Sequence, residues 1–188
     1  MADSELTIFC RTVRKRSQEN KQALDCLHHH GRLVGNVMSI LRQELDSMVR
    51  CIFLLSVADR RYRERLIHDS VVGKPWRSKD GKSTITDRKM VDLSSKLHGW
   101  AGNVYAFGCA FIHLSSFHDY SVRDPLGSLT PHDHENISRY LHEYHGIVIN
   151  GNTKFLDIEF ALPAVFEKIS ANLECYVRDL EADSDLEL

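Results

Sequence analysis

Along most of the chain, apolar side chains recur every three or four residues, the spacing that gathers them on one face of an α-helix. Residues 3–29 carry this pattern within a largely polar background, inside an N-terminal helix of about 1–30, and Gly31 offers a break before the next element. From Leu33, the stripe Val37, Ile40, Leu41, Met48, Ile52 and Leu55 predicts one long helix running to about His68. A loop rich in Gly, Pro, Ser and Lys then occupies 71–85, a length that is uncommon for a structureless connection. Thr86 and Asp87 supply a helix start, and the stripe from Met90 through Trp100, Phe107 and Phe111 to Leu114 predicts a third, central helix.

Thr130, Pro131 and Gly146 stand where a short helix places its cap, its first residue and its stop. Beyond an Asn150-Gly151 pair, the alternation Leu156, Ile158, Phe160, Leu162 predicts a small β-hairpin. Pro163 then opens a last helix whose stripe includes Phe166, Ile169, Leu173, Val177 and Leu180. The expected architecture is mainly α: an up-and-down helical bundle of four to five helices, with a small β-hairpin before the last, in a single domain 1–188 ending in an acidic tail at 183–188. There is no internal repeat and no Rossmann or P-loop glycine pattern.

A chain of 188 residues buries about 70% of its unfolded surface and needs neither disulfide nor metal to fold. Its 24 basic and 26 acidic residues nearly cancel, so net charge names no partner. Charge is nevertheless uneven, with basic runs at 11–16 (RTVRKR) and 60–65 (RRYRER) and only acids after Arg178. Five widely spaced cysteines without a C-x-x-C pair fit a reducing cytoplasm better than a disulfide framework. The N-terminal sequence lacks a signal pattern, and the longest apolar run, CIFLLSVA, is far short of the about 20 residues that span a bilayer. The expectation is a cytoplasmic protein with no membrane partner.

Charges interrupt the second stripe. Glu44 stands where the apolar row between Leu41 and Met48 should continue, and Arg42 breaks the adjoining row of Leu45, Val49 and Phe53. An unpaired buried charge costs several kcal/mol, so these groups require partners. The third stripe offers a face of small residues (Gly99, Gly102, Ala106, Cys109, Ala110) that leads to His113. Arg42, Glu44 and Arg50 are therefore expected to face His113, with His118 at the mouth. Two readings follow. The polar group is either a satisfied network that fixes the register of two helices, or an acid–base site in which a carboxylate orients histidine and arginine holds an anionic group.

The R-x-E helix, a loop, and a helix carrying Y…F-I-H-x-S-S (Tyr105 to Ser116) together resemble uncharacterised bacterial families in or near the HEPN superfamily, over residues 32–120. The resemblance implies a small helical domain of defence or toxin–antitoxin systems. Active members are dimeric ribonucleases that use an Arg and a His four to six residues apart, without metal or other cofactor. Arg63 to His68 and Arg139 to His145 both fit that spacing, and neither keeps the Asn that often follows the Arg. On this reading histidine deprotonates a ribose 2′-hydroxyl and arginine stabilises the phosphorane. Trp76, among Lys74, Arg77, Lys79 and Lys82, would stack on and track single-stranded RNA. The implied partners are RNA and either a second copy of the chain or a neighbouring-gene protein.

Eleven histidines are an unusual number, and His132, His134, His142 and His145 crowd one short helix beside Asp133 and Glu143. A metal protein is a further alternative there, although HEYH is one residue too short for H-E-x-x-H. His28, His29 and His30 suit the C-terminal end of the first helix. The remaining class is a non-catalytic interaction or regulatory module built on the buried polar network.

Overall fold

The computed structural model describes residues 3–29, 33–113 and 115–186. Seven α-helices occur among them: α1 Glu5–His29, α2 Val34–Leu55, α3 Arg60–Val71, α4 Asp87–Ser94, α5 Ala101–Ile112, α6 Pro131–His145 and α7 Leu162–Glu181. No strand is present among the described residues. The side chains of His28 and His29, together with His30, Gly31 and Leu114, lie outside them, and so do the capping and breaking roles expected there.

Helix α2 is the central rod, buried over most of its circumference, and α7, α5, α1 and α4 pack around it. Its stripe and those of α5 and α7 supply most of the core, including Leu41, Leu45, Met48, Phe111, Phe166 and Leu173. No helix among the described residues is long and apolar enough to cross a membrane.

Four expectations change. The long helix 33–68 is two helices, because Ser56 turns its hydroxyl back to the Phe53 carbonyl (2.7 Å) and Asp59 caps a new helix by accepting from the Tyr62 amide (3.2 Å). The third stripe is also two helices. Thr86 caps α4, whose chain leaves helical geometry after Ser94 and resumes at Ala101, so the apolar spacing survives while the rod breaks. The four or five expected helices are therefore seven.

The hairpin expected at 150–162 is absent. Asn150-Gly151 does turn, with the Thr153 amide donating to the Asn150 carbonyl (3.0 Å), but two single-turn 3-10 helices follow, at Phe155–Asp157 and Glu159–Ala161. Phe155, Ile158 and Ala161 are buried at a spacing of three, while Phe160 is 61% exposed, the reverse of the alternation a strand would need.

A short antiparallel turn forms instead in the 71–85 segment. The Ile85 amide donates to the Trp76 carbonyl (2.9 Å) and the Ser78 amide to the Ser83 carbonyl (2.8 Å), with Arg77 bridged to Thr84. Its tip is Asp80-Gly81, where Gly81 takes a φ of 74° that a side chain rarely adopts. Helix α6 forms as read from its caps. The Thr130 hydroxyl accepts from the Asp133 amide, and Gly146 ends the helix in the left-handed region.

Candidate nucleic-acid interface

The basic run 60–65 becomes the first turns of α3, and the 76–85 turn folds back onto it. Tyr62 donates its hydroxyl proton to the Arg77 carbonyl (2.8 Å), and Arg65 donates to the Ser78 carbonyl (2.8 Å). Lys79 reaches Asp59 (2.6 Å), which the ammonium group, with the Tyr62 amide, holds below the usual carboxylate range. The segment is thus tied to α3 from both ends of its tip. Lys74, Arg77, Lys79 and Lys82 are all exposed on it.

Trp76 is not available as a stacking platform. It is 3% exposed, its ring centroid is 5.9 Å from that of Phe53, and its indole N–H donates to the Ser70 hydroxyl (2.8 Å). An indole flanked by cations reads as a base-stacking group in sequence, but its apolar area is better used in anchoring the loop to the core.

Between α1, α2 and this segment runs a groove of about 730 Å³, walled by Arg16, Asp46, Arg50, Lys74, Trp76 and Asp87. Arg50 donates to Asp46 (3.1 Å) and to Asp87 (3.2 Å) and lies over the Trp76 ring at 5.2 Å. Arg16 reaches Asp46 from α1 (3.2 Å). Arg42, behind the groove wall, donates to Asp87 (3.0 Å) and stacks over Tyr105 at 4.3 Å. Burial opposes the Arg42 charge, but Cys109, Asp46 and Asp87 outweigh it, so its pKa is raised. Three guanidinium groups share two carboxylates, which leaves the cluster net positive.

Glu44 is fully buried and faces α1, not α5. It accepts from Ser17 Oγ (2.5 Å) and Asn20 Nδ2 (2.9 Å), and Ser17 also meets Ser170 of α7 (3.2 Å). His113 is an exposed residue at the C-terminal end of α5. The expected meeting of Arg42, Glu44 and Arg50 with His113 therefore does not occur. Helical phase explains it: Glu44 lies two residues beyond Arg42, so the two side chains leave α2 about 200° apart. His118, also exposed, sets its ring edge-on to Phe111 at 5.7 Å. Of the small-residue face, Ala106 is exposed, and the glycine that receives Arg42 is Gly108.

The two arginine–histidine pairs are separated by their partners. Arg63, 3% exposed, donates to the carbonyls of Leu55 (3.0 Å), Val57 (3.2 Å) and Ser184 (3.0 Å) and pairs with Asp185 (2.9 Å). It clamps the end of α2 to the acidic tail, whereas His68 meets Glu5 of α1 (2.7 Å). Arg139 donates to Asn136 (3.0 Å) and to the Tyr140 hydroxyl (3.1 Å). His145 lines an apolar cleft beneath α6, while His134 and His142 line a separate shallow depression. His132 meets Asn136 (3.0 Å), and no group of three His, Cys, Asp or Glu fit to hold a metal ion occurs among the described residues.

Arg16, Asp46, Asp87, Tyr105 and Gly108 were the members of this region that sequence reasoning missed. Asp46 had a signal, standing four residues from both Arg42 and Arg50, the spacing that pairs charges along a helix. No protein-family model, curated protein or solved structure matches this chain significantly.

Proposed function

We propose that the protein is a non-catalytic RNA-binding module that holds the phosphate backbone on α3 and the 76–85 turn. The observation that carries this reading is the concentration of positive charge: residues 60–82 hold eight basic and three acidic side chains, in a chain whose totals are 24 and 26. Arg60 and Arg63 are engaged by the tail, and Lys79 by Asp59. Arg61, Lys74, Arg77 and Lys82 lie beyond ion-pair distance of any carboxylate among the described residues. The arginine groove adjoins this lobe through Lys74.

Such a surface recognises phosphates rather than bases, because Trp76 is buried and the half-buried Tyr62 ring is covered by Arg65 at 4.8 Å. Binding should be insensitive to sequence and strongly weakened by salt. The HEPN-like resemblance supports RNA as the polyanion. The dispersal of His113, His118 and His145, each without an arginine or carboxylate hydrogen-bond partner among the described residues, favours the non-catalytic alternative over a ribonuclease.

The test is fluorescence anisotropy with a labelled single-stranded RNA at low salt in chelator, followed by a gel of the same RNA. The expected result is binding of intact RNA, weakened at least tenfold in the triple variant Lys74→Glu, Arg77→Glu, Lys82→Glu. Equal binding by the folded variant, or no binding at all, would remove the reading, and cleavage would restore the enzyme.

A further inference from the structure

The groove between α1, α2 and the 71–85 segment holds donors that its own carboxylates do not use. Arg16 spends only Nη1, on Asp46 (3.2 Å) and on the Ser47 hydroxyl (3.3 Å). Arg50 spends Nε on Asp46 (3.1 Å) and Nη2 on Asp87 (3.2 Å). Nε and Nη2 of Arg16 and Nη1 of Arg50 thus have no acceptor among the described residues, and none of the three is sealed from solvent. Both arginines line the groove, as does the exposed Lys74, which has no carboxylate within ion-pair distance among the described residues.

Charge sets what these donors can take. Arg16, Arg50 and Lys74 on the wall and Arg42 behind it face only the carboxylates of Asp46 and Asp87, an excess of two positive charges. A phosphodiester inside a strand brings one negative charge and meets half of that excess. A terminal phosphomonoester brings about 1.5 to 2 at neutral pH, with three oxygens that accept from guanidinium forks. Asp46, Asp87 and the Trp76 ring (5.2 Å) already fix the Arg50 head, so seating an anion there costs little further ordering.

Size and position narrow the ligand further. A volume of about 730 Å³ exceeds what a phosphate group fills and suits a whole nucleotide, since sites for small molecules span about 300–1,000 Å³. Ile8, Val13 and Pro75 make part of the wall apolar, a surface for the nucleoside behind the phosphate. Lys74 belongs both to this wall and to the basic lobe.

We propose that the groove seats the terminal phosphomonoester of an RNA strand, its oxygens held by Arg16, Arg50 and Lys74, while the phosphates that follow lie on the basic lobe. The seat rests on the RNA reading above and adds to it a preference for a phosphorylated end. A 5′-phosphate and a 3′-phosphate present the same group, and the test separates them.

The experiment measures anisotropy of one internally labelled single-stranded RNA with the full chain, the RNA carrying a 5′-phosphate, a 3′-phosphate or hydroxyls at both ends. At least one phosphorylated form should bind about tenfold more tightly than the hydroxyl form, and which one does so identifies the end. Arg16→Gln should reduce that preference to within about threefold, and Asp46 keeps Arg50 as its partner in this variant. Lys74→Gln, at an exposed position, should also reduce the preference and carries the test if Arg16→Gln does not fold. Arg77→Glu with Lys82→Glu, both outside the groove, should weaken all three RNAs alike and leave the preference intact. Equal binding of the three RNAs, or a preference unchanged in both Arg16→Gln and Lys74→Gln, would overturn the seat and leave the RNA reading in place. No binding of any of them would remove both.

Discussion

Gly108 of α5 lies against the Arg42 side chain of α2: a Cβ at position 108 would stand 2.6 Å from the Arg42 Cβ and 3.1 Å from its Cγ. The nearest atom is fixed to the α2 backbone, so rotation of a flexible tip cannot relieve the contact. Gly108→Ala should force the helices apart and lower stability by about 1–3 kcal/mol. At an exposed helix position the same change would stabilise by up to about 1 kcal/mol, so the sign of the shift in urea midpoint decides the matter.

Glu44 is a structural acceptor. Glu44→Ala leaves Ser17 and Asn20 as donors without their acceptor in the interior and removes packed volume, for a combined cost of about 3 kcal/mol. Chemical denaturation should show this loss while RNA affinity of the folded variant stays unchanged. A folded, fully stable Glu44→Ala that no longer binds RNA would place the carboxylate in the functional machinery instead.

How legible was this in the sequence? The stripes were readable because periodicity depends only on which face each residue occupies, and Met90, Trp100, Phe107 and Phe111 are buried as their spacing required. Rod continuity was not readable, since the break at 56–59 depends on the Asp59 cap and on Arg63 holding the freed carbonyls from the following helix. The two glycine pairs had equivalent local chemistry. Asp80-Gly81 became the tip of a paired turn because Trp76 and Ile85 are buried in the core at its base, whereas Phe155 and Ile158 were buried at helical spacing. Glu44 was rightly expected to be buried and partnered, but polarity alone does not say which neighbouring helix supplies the donors.

Arg63 should not tolerate lysine. Its planar head reaches three backbone carbonyls and the tail carboxylates at once, a set of bonds that one ammonium group cannot reproduce. Arg63→Lys should cost about 2 kcal/mol in stability. It should also raise amide hydrogen exchange at Leu186, whose N–H donates to the Leu55 carbonyl (3.2 Å). Unchanged exchange there would show the tail to be held by other contacts.

Acid should weaken the fold in two stages. Burial, then Lys168, lowers the pKa of both His98 and His145, so the unfolded chain binds more protons than the folded chain below about pH 6.5. Their contribution is complete above that pH and is lost as pH falls towards the lower folded values. Glu174 and Glu181, both lowered by hydrogen bonds from Arg14, act later: their contribution is present above about pH 4.3 and lost as pH falls through their depressed values. Urea midpoints measured from pH 8 to pH 3 should therefore fall first near pH 6, and His98→Gln should flatten that first fall. A midpoint constant between pH 7 and pH 5 would contradict the burial of both imidazoles.

The central claim is tested most directly by the salt dependence of RNA affinity. If Arg61, Lys74, Arg77 and Lys82 hold phosphates, log affinity should fall linearly with log salt at a slope of about −0.7 per contact, and each single replacement by Ala should reduce the slope by about that amount, equally for unrelated sequences. A slope near zero, or one unchanged in Arg77→Ala and Lys82→Ala, would contradict the account.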